Sequence, residues 1–151
     1  MRLSTRVRYG TRLLVDIAAN QADAPLALKD VARRQQVSLN YLKQLVGPLV
    51  AAGLIRTERG RGGGVVLALS AQDIRLSRVV SILEGSNAPV ACVDSPALCD
   101  RSTACATRGV WCRVKTAIDG VLDSVTIRDL VEQQRTAEGV ACPVADEVAS
   151  R

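Results

Sequence analysis

Six residues in the first half of the chain, Arg59-Gly60-Arg61-Gly62-Gly63-Gly64, leave little choice of structure. Four of them are glycine, which loses more backbone freedom on ordering than any other residue and weakens helix and strand interiors. The segment is therefore a turn. On either side stand Leu54-Ile55-Arg56-Thr57-Glu58 and Val65-Val66-Leu67-Ala68-Leu69, short runs rich in residues suited to a half-buried sheet. Two such runs across a glycine turn predict a β-hairpin with an arginine-bearing tip.

The chain before the hairpin reads as helix. Val7, Gly10, Leu14, Ile17 and Ala18 recur at helical spacing within residues 5–20, and Ser4 can cap the start. A short second helix over 28–35 points Leu28, Val31 and Ala32 inward. Gln36-Val37 then makes a tight turn, and Ser38 caps a third helix with Leu39, Leu42, Leu45, Val46 and Leu49 on one face. Pro48 cannot donate to Gln44, which predicts a kink or break there, and Gly53 reads as a left-handed cap. After the hairpin, Ser70 and Asp73 have the spacing of a capping box. Residues 76–84 form a helix stopped by Gly85. A long helix is expected from Ser102 or Thr103 to about Ser124, with an apolar stripe through Val110, Val114, Ala117, Ile118, Val121, Leu122 and Val125. Thr126, with Asp129 three residues on, caps a last helix.

Short helix, tight turn, second helix and glycine-tipped hairpin is the order of a winged helix-turn-helix. The expected fold class is mainly α with a small β-hairpin wing. The expected organisation is a winged helix-turn-helix DNA-binding domain over 1–75, a connecting helix and cysteine loop over 76–105, a dimerisation helix and closing helix over 106–135, and a flexible tail over 136–151. Aromatic residues make up only 2% of the chain and Phe is absent, so the core must be aliphatic.

Charge supports a polyanion partner. Residues 1–64 carry 11 Lys/Arg against 4 Asp/Glu, whereas residues 65–151 carry 9 against 11. The basic half is the half with the helix-turn-helix pattern. Asn40, Tyr41, Lys43 and Gln44 fall off the apolar stripe of the third helix and can face a major groove, where Lys43 suits guanine O6/N7 and Asn40 or Gln44 suits adenine; the alternative for Tyr41 is a half-buried packing residue. At the hairpin tip, glycines permit close backbone approach, and Arg59 and Arg61 can reach phosphates or a minor groove. Arg2, Arg6 and Arg8 add charge nearby. No run approaches the roughly 20 apolar residues of a membrane span, and no signal peptide is evident. A cytoplasmic protein without a membrane or small-molecule substrate partner is expected. No catalytic constellation is present, since the chain has no His, no Cys-x-x-Cys and no paired carboxylates on one face.

Three thiols, Cys92, Cys99 and Cys105, lie within fourteen residues of a polar stretch interrupted by Pro96. Cysteines gathered in such a loop pack poorly as core, and in a cytosolic chain they point to metal or redox chemistry. Their spacing is wider than the close pairs of structural zinc sites and suits a loop around a larger object such as an iron–sulfur cluster. The alternative is three reduced, unligated thiols.

Met1-Arg2-Leu3-Ser4, Arg8-Tyr9-Gly10, Leu39-Asn40-Tyr41-Leu42-Lys43-Gln44-Leu45, Ala52-Gly53-Leu54-Ile55, the glycine-arginine turn and Thr126-Ile127-Arg128-Asp129-Leu130-Val131 together resemble the IscR/NsrR/RirA superfamily of bacterial regulators, from Met1 to about Gln134. The resemblance implies a homodimeric winged-helix transcription factor acting on a palindromic double-stranded DNA operator. It places Ser38, Asn40, Tyr41, Lys43 and Gln44 on the recognition helix, and Arg59, Arg61, Gly62 and Gly63 on the wing. It also implies a 2Fe-2S or 4Fe-4S cluster held by Cys92, Cys99 and Cys105, sensing iron or cluster supply, redox state or nitric oxide. The chain departs from the pattern at three positions. Lys43 stands where IscR-like members have Glu. Arg108 stands where they place a histidine ligand, and Arg8 where nitric-oxide sensors place an aspartate. Neither guanidinium can ligate iron. Cys112, Cys142, Asp94, Asp100, Glu84, a bound thiol or a residue of the second subunit remain as a fourth ligand. The competing expectation is a cluster-free repressor that senses through reactive thiols or a protein partner.

Overall fold

A computed structural model describes residues 3–21, 24–60 and 62–136. Seven helices and one hairpin follow in order: α1 Thr5–Asn20, α2 Leu28–Gln35, α3 Leu39–Ala51, β1 Ile55–Glu58, β2 Gly64–Leu67, α4 Leu76–Glu84, α5 Ala91–Asp94, α6 Ala106–Ser124 and α7 Ile127–Thr136. This is the expected mainly helical class with a two-stranded wing. Arg2, Arg61 and the expected tail beyond Thr136, with Cys142, lie outside the described residues. No helix among the described residues is long and apolar enough to cross a membrane.

The core is aliphatic, as the lack of Phe requires. Leu13, Leu14 and Ile17 of α1 meet Val31 of α2, Leu42, Leu45 and Leu49 of α3, Val79 of α4 and Ile127 of α7, all essentially fully buried. Each such side chain contributes about 1.5–3 kcal/mol by leaving water.

Caps set the helix boundaries. Ser4 and Ser38 accept from the amides of Val7 and Tyr41. Gly53, at φ +70°, closes α3 with Leu54 N–H donating to Leu49 C=O and Gly53 N–H to Val50 C=O. Gln36 turns the chain after α2 in the same left-handed conformation, an unusual choice for a residue with a side chain. Thr126 and Asp129 complete a reciprocal capping box, each side chain taking the other's amide.

Several expectations are corrected. Of the kink or break expected at Pro48, the break does not occur; α3 runs through it. Gly47 precedes the proline and lacks the Cβ that the ring would strike, and Gln44, whose carbonyl loses its partner, is exposed to water. Ser70 makes no side-chain cap; residues 71–73 are a single 3-10 turn held by Asp73 N–H on the Ser70 carbonyl. The strands differ from the β-like runs: regular pairing spans Ile55–Glu58 and Gly64–Leu67, beyond which Ala68 N–H still donates to Leu54 C=O at 2.9 Å and Leu69 lies outside the hairpin. The long helix begins at Ala106 and not at Ser102 or Thr103: residues 99–104 form tight turns in which Ser102 N–H bonds Cys99 C=O and Ala104 N–H bonds Arg101 C=O.

Two long-range pairings were not expected. Leu26 and Val65 exchange backbone hydrogen bonds of 3.0 and 2.8 Å, so the segment before α2 adds a third edge to the wing. Further on, Ile127 N–H donates to Ile74 C=O and Leu76 N–H to Val125 C=O, both at 2.9 Å. That bridge fastens the α6–α7 junction to the segment following the wing.

Candidate nucleic-acid interface and cysteine loop

The first turns of α3 present Ser38, Asn40, Lys43 and Gln44 to solvent, because Leu42, Leu45 and Leu49 occupy the buried face. Tyr41 takes the half-buried packing position and not the groove-facing one. Its ring is partly buried and packs edge-on against Tyr9 of α1, with centroids 5.8 Å apart and planes at 87°. The guanidinium carbons of Arg8 and Arg12 lie 4.9 and 5.2 Å from the Tyr9 centroid. In the wing, Arg59, Gly60 and Gly62 are exposed. Gly60 and Gly62 hold φ of +106° and +89°, which glycine alone adopts without strain.

The cysteine loop is not plain loop. Cys92 sits in the one-turn helix α5, Cys99 closes a 3-10 turn over Pro96–Leu98, and Cys105 is the residue before α6. All three are partly exposed and free, as is Cys112 on α6. The Cys105 thiol is held below its ordinary range, first by the hydrogen bond with Thr107 Oγ1 at 3.1 Å, then by the Arg108 backbone amide at the helix start. Among the described residues, no three of Cys, Asp and Glu stand close enough together to hold one metal ion. The donors thus fit a thiolate-ligated cluster in chemistry, but they are not gathered around a point.

The other ligand candidates have different partners. Arg108 donates from Nε to the Cys92 carbonyl at 2.9 Å and ties the loop to the first turn of α6. Glu84 accepts the Ser4 amide at the start of α1, and Asp94 accepts from the Ser86 hydroxyl. A second tie lies at the loop's entrance, where Asp119 of α6 takes Asn87 Nδ2 at 2.7 Å and Lys115 Nζ at 2.6 Å. Sequence reading missed Asn87, Lys115 and Asp119; the i, i+4 spacing of Lys115 and Asp119 was the one visible signal.

Lys115 first, then Asn87, holds the Asp119 carboxyl below the usual carboxylate range. A depressed folded-state value means that this tie stabilises fully above the unfolded value near 4 and is lost as pH falls through the lower folded value. The melting-temperature gap between the parent and Asp119→Asn is therefore expected to be widest at neutral pH and to shrink below about pH 4. A pH-independent gap would sink this account.

A helical body with a solvent-facing α3 start and an exposed glycine-arginine wing defines a winged helix-turn-helix DNA-binding protein. A family model described as Rrf2, iron-dependent transcriptional regulator, matches residues 3–133. The chain belongs to the Rrf2 family of DNA-binding transcriptional regulators. It is 39% identical over 145 residues to the protein rrf2 of Nitratidesulfovibrio vulgaris, covering 96% of this chain and 97% of that one. Among solved structures it is similar to IscR of T. potens, with TM-score 0.76, 32% identity and 96% coverage of each chain. It is also similar to CymR of B. subtilis, described as the global cysteine regulator, with TM-score 0.74, 34% identity and coverage of 87% and 97%.

Proposed function

We propose that this protein is a homodimeric transcriptional regulator, a repressor, whose grip on a palindromic operator is set by an iron–sulfur cluster on Cys92, Cys99 and Cys105. One observation carries the reading: the three thiols lie on the segment that joins the winged unit to α6, and hydrogen bonds at Asn87 and at Cys92 tie the first part of that segment to α6. Asn40, Lys43 and Gln44 read base edges, Ser38, Arg59, Arg61 and Arg2 with the Gly62-Gly63 backbone follow the phosphates, and Tyr41 supports the helix that carries them. The face of α6 bearing Val110 and Val121, 53% and 66% exposed, pairs with a second copy and spaces two recognition helices for two half-sites. A bound cluster supplies redox- and iron-dependent occupancy of the loop, and the protein's part is to convert that occupancy into the placement of α6.

Anaerobically purified protein is expected to be coloured, with visible absorption that Cys92→Ala, Cys99→Ala and Cys105→Ala each abolish. The second reading, sensing by bare thiols, is favoured by the ungathered donors and by the similarity to CymR. Colourless anaerobic protein whose DNA binding responds to peroxide would replace the first reading with the second.

A further inference from the structure

The turn between α2 and α3 is held from outside by α1. Asp16, only 4% exposed, receives Arg34 Nε at 3.1 Å from both carboxylate oxygens and Gln35 Nε2 at 2.7 Å. Gln35 is the last residue of α2. Its side-chain oxygen accepts Arg12 Nε at 2.8 Å, and its backbone carbonyl accepts Arg12 Nη2 at 3.2 Å. The same guanidinium lies over the Tyr9 ring, which the Arg8 guanidinium also approaches and which packs edge-on against Tyr41 in the first turn of α3. One arginine of α1 therefore touches the end of α2 directly and the start of α3 through one ring. Between those anchors the chain passes through Gln36 in the left-handed region, where a residue with a side chain persists only if its surroundings impose it.

We infer that Arg12 is a positioning residue for sequence discrimination: with Gln35 and Tyr9 it clamps both ends of the helix-turn-helix and fixes the angle of α3, without itself reading a base. The inference rests on α3 being the helix that reads the operator. A bidentate base contact tolerates little angular error, whereas phosphate contacts made by long flexible side chains tolerate more. Loosening the clamp should therefore weaken specific binding and leave non-specific binding in place.

The test uses the full chain and two duplexes, one recovered from a random-sequence library with the parent protein and one of shuffled sequence. Affinities are measured over a range of salt for the parent, Arg12→Gln, Gln35→Ala, Tyr9→Phe and Lys43→Ala. Arg12→Gln and Gln35→Ala are expected to lower the ratio of selected to shuffled affinity about tenfold, a small part of the discrimination such proteins achieve. Affinity for the shuffled duplex and the salt slope should stay at parent values. Tyr9→Phe keeps the ring and should keep the ratio. Arg12 is an exposed side chain, so Arg12→Gln keeps the test readable even where Gln35→Ala does not fold. An equal loss on both duplexes with a salt slope lower by about one would make Arg12 a phosphate contact and overturn the inference. So would an unchanged ratio in both variants. If Lys43→Ala leaves the sequence preference intact, the reading of α3 fails; if it alters the preference while Arg12→Gln does not, the clamp alone fails.

Discussion

Gly64→Ala is expected to lower the melting temperature by about 10 °C and to detach the wing from the helical body. A Cβ on Gly64 would enter the envelope of the Leu26 carbonyl oxygen and lie 2.5 Å from the carbonyl carbon and 3.0 Å from Ala27 N. These are backbone atoms, so no rotamer change relieves the clash. Relief requires the Leu26–Val65 pair to part, with loss of two hydrogen bonds. Overpacking at about 1–3 kcal/mol and two bonds at about 1 kcal/mol each give a loss of about 3–5 kcal/mol. Calorimetry measures the shift, and increased proteolysis around Leu26 locates it. A variant that melts with the parent would show that the Leu26 edge does not hold the wing. Gly10→Ala makes a useful contrast. There an added Cβ meets only the Leu83 side chain, the end of which can rotate away, and the loss should be smaller.

The second large effect is an inversion of ordinary expectation. In the Asp16–Arg34 pair the aspartate side chain is 3% exposed and the arginine side chain 35%. Removing the more exposed partner should do more damage. Arg34→Ala leaves a charged group buried with amide donors alone and is expected to cost about 3 kcal/mol. Asp16→Ala frees an arginine that can turn to water and is expected to cost about 2 kcal/mol, mostly from the polar partners left behind. The double variant should lose less than the sum, since Arg34→Ala no longer strands a carboxylate. Urea unfolding of the four proteins decides it. Asp16→Ala proving the worse of the two would mean that side-chain packing at Asp16, and not charge burial, dominates.

Much of the architecture was legible because it is local. Helical periodicity, the Ser4 and Ser38 caps, the Thr126–Asp129 box and the glycine turn each rest on residues within one or two turns of one another. The candidate interface was legible for the same reason at Asn40, Lys43 and Gln44, which lie off a clear apolar stripe. Tyr41 shows where that logic ends. Its place off the stripe allowed an outward ring or a half-buried one, and Tyr9, thirty-two positions earlier, offers the aromatic edge that it packs against. Asp16 carried a faint signal, a lone carboxylate between Val15 and Ile17 inside an apolar run, but nothing local names Arg34 and Gln35 as its partners. Arg108 is the same case. Sequence shows that it cannot be a ligand; only the fold shows that it fastens the Cys92 carbonyl.

By itself the sequence determined six of the seven helices described, the wing, the aliphatic core and the presence of three thiols on one connecting segment. These follow from backbone propensity and from the spacing of apolar and polar residues, which act over a few positions. Tertiary structure alone decided which buried charge pairs with which arginine, that Leu26 joins the wing, that residues 74–76 and 125–127 pair, and that the thiols stand apart rather than around a point. Those outcomes depend on contacts between segments distant in sequence, where the free energy belongs to the pair and neither residue announces it alone.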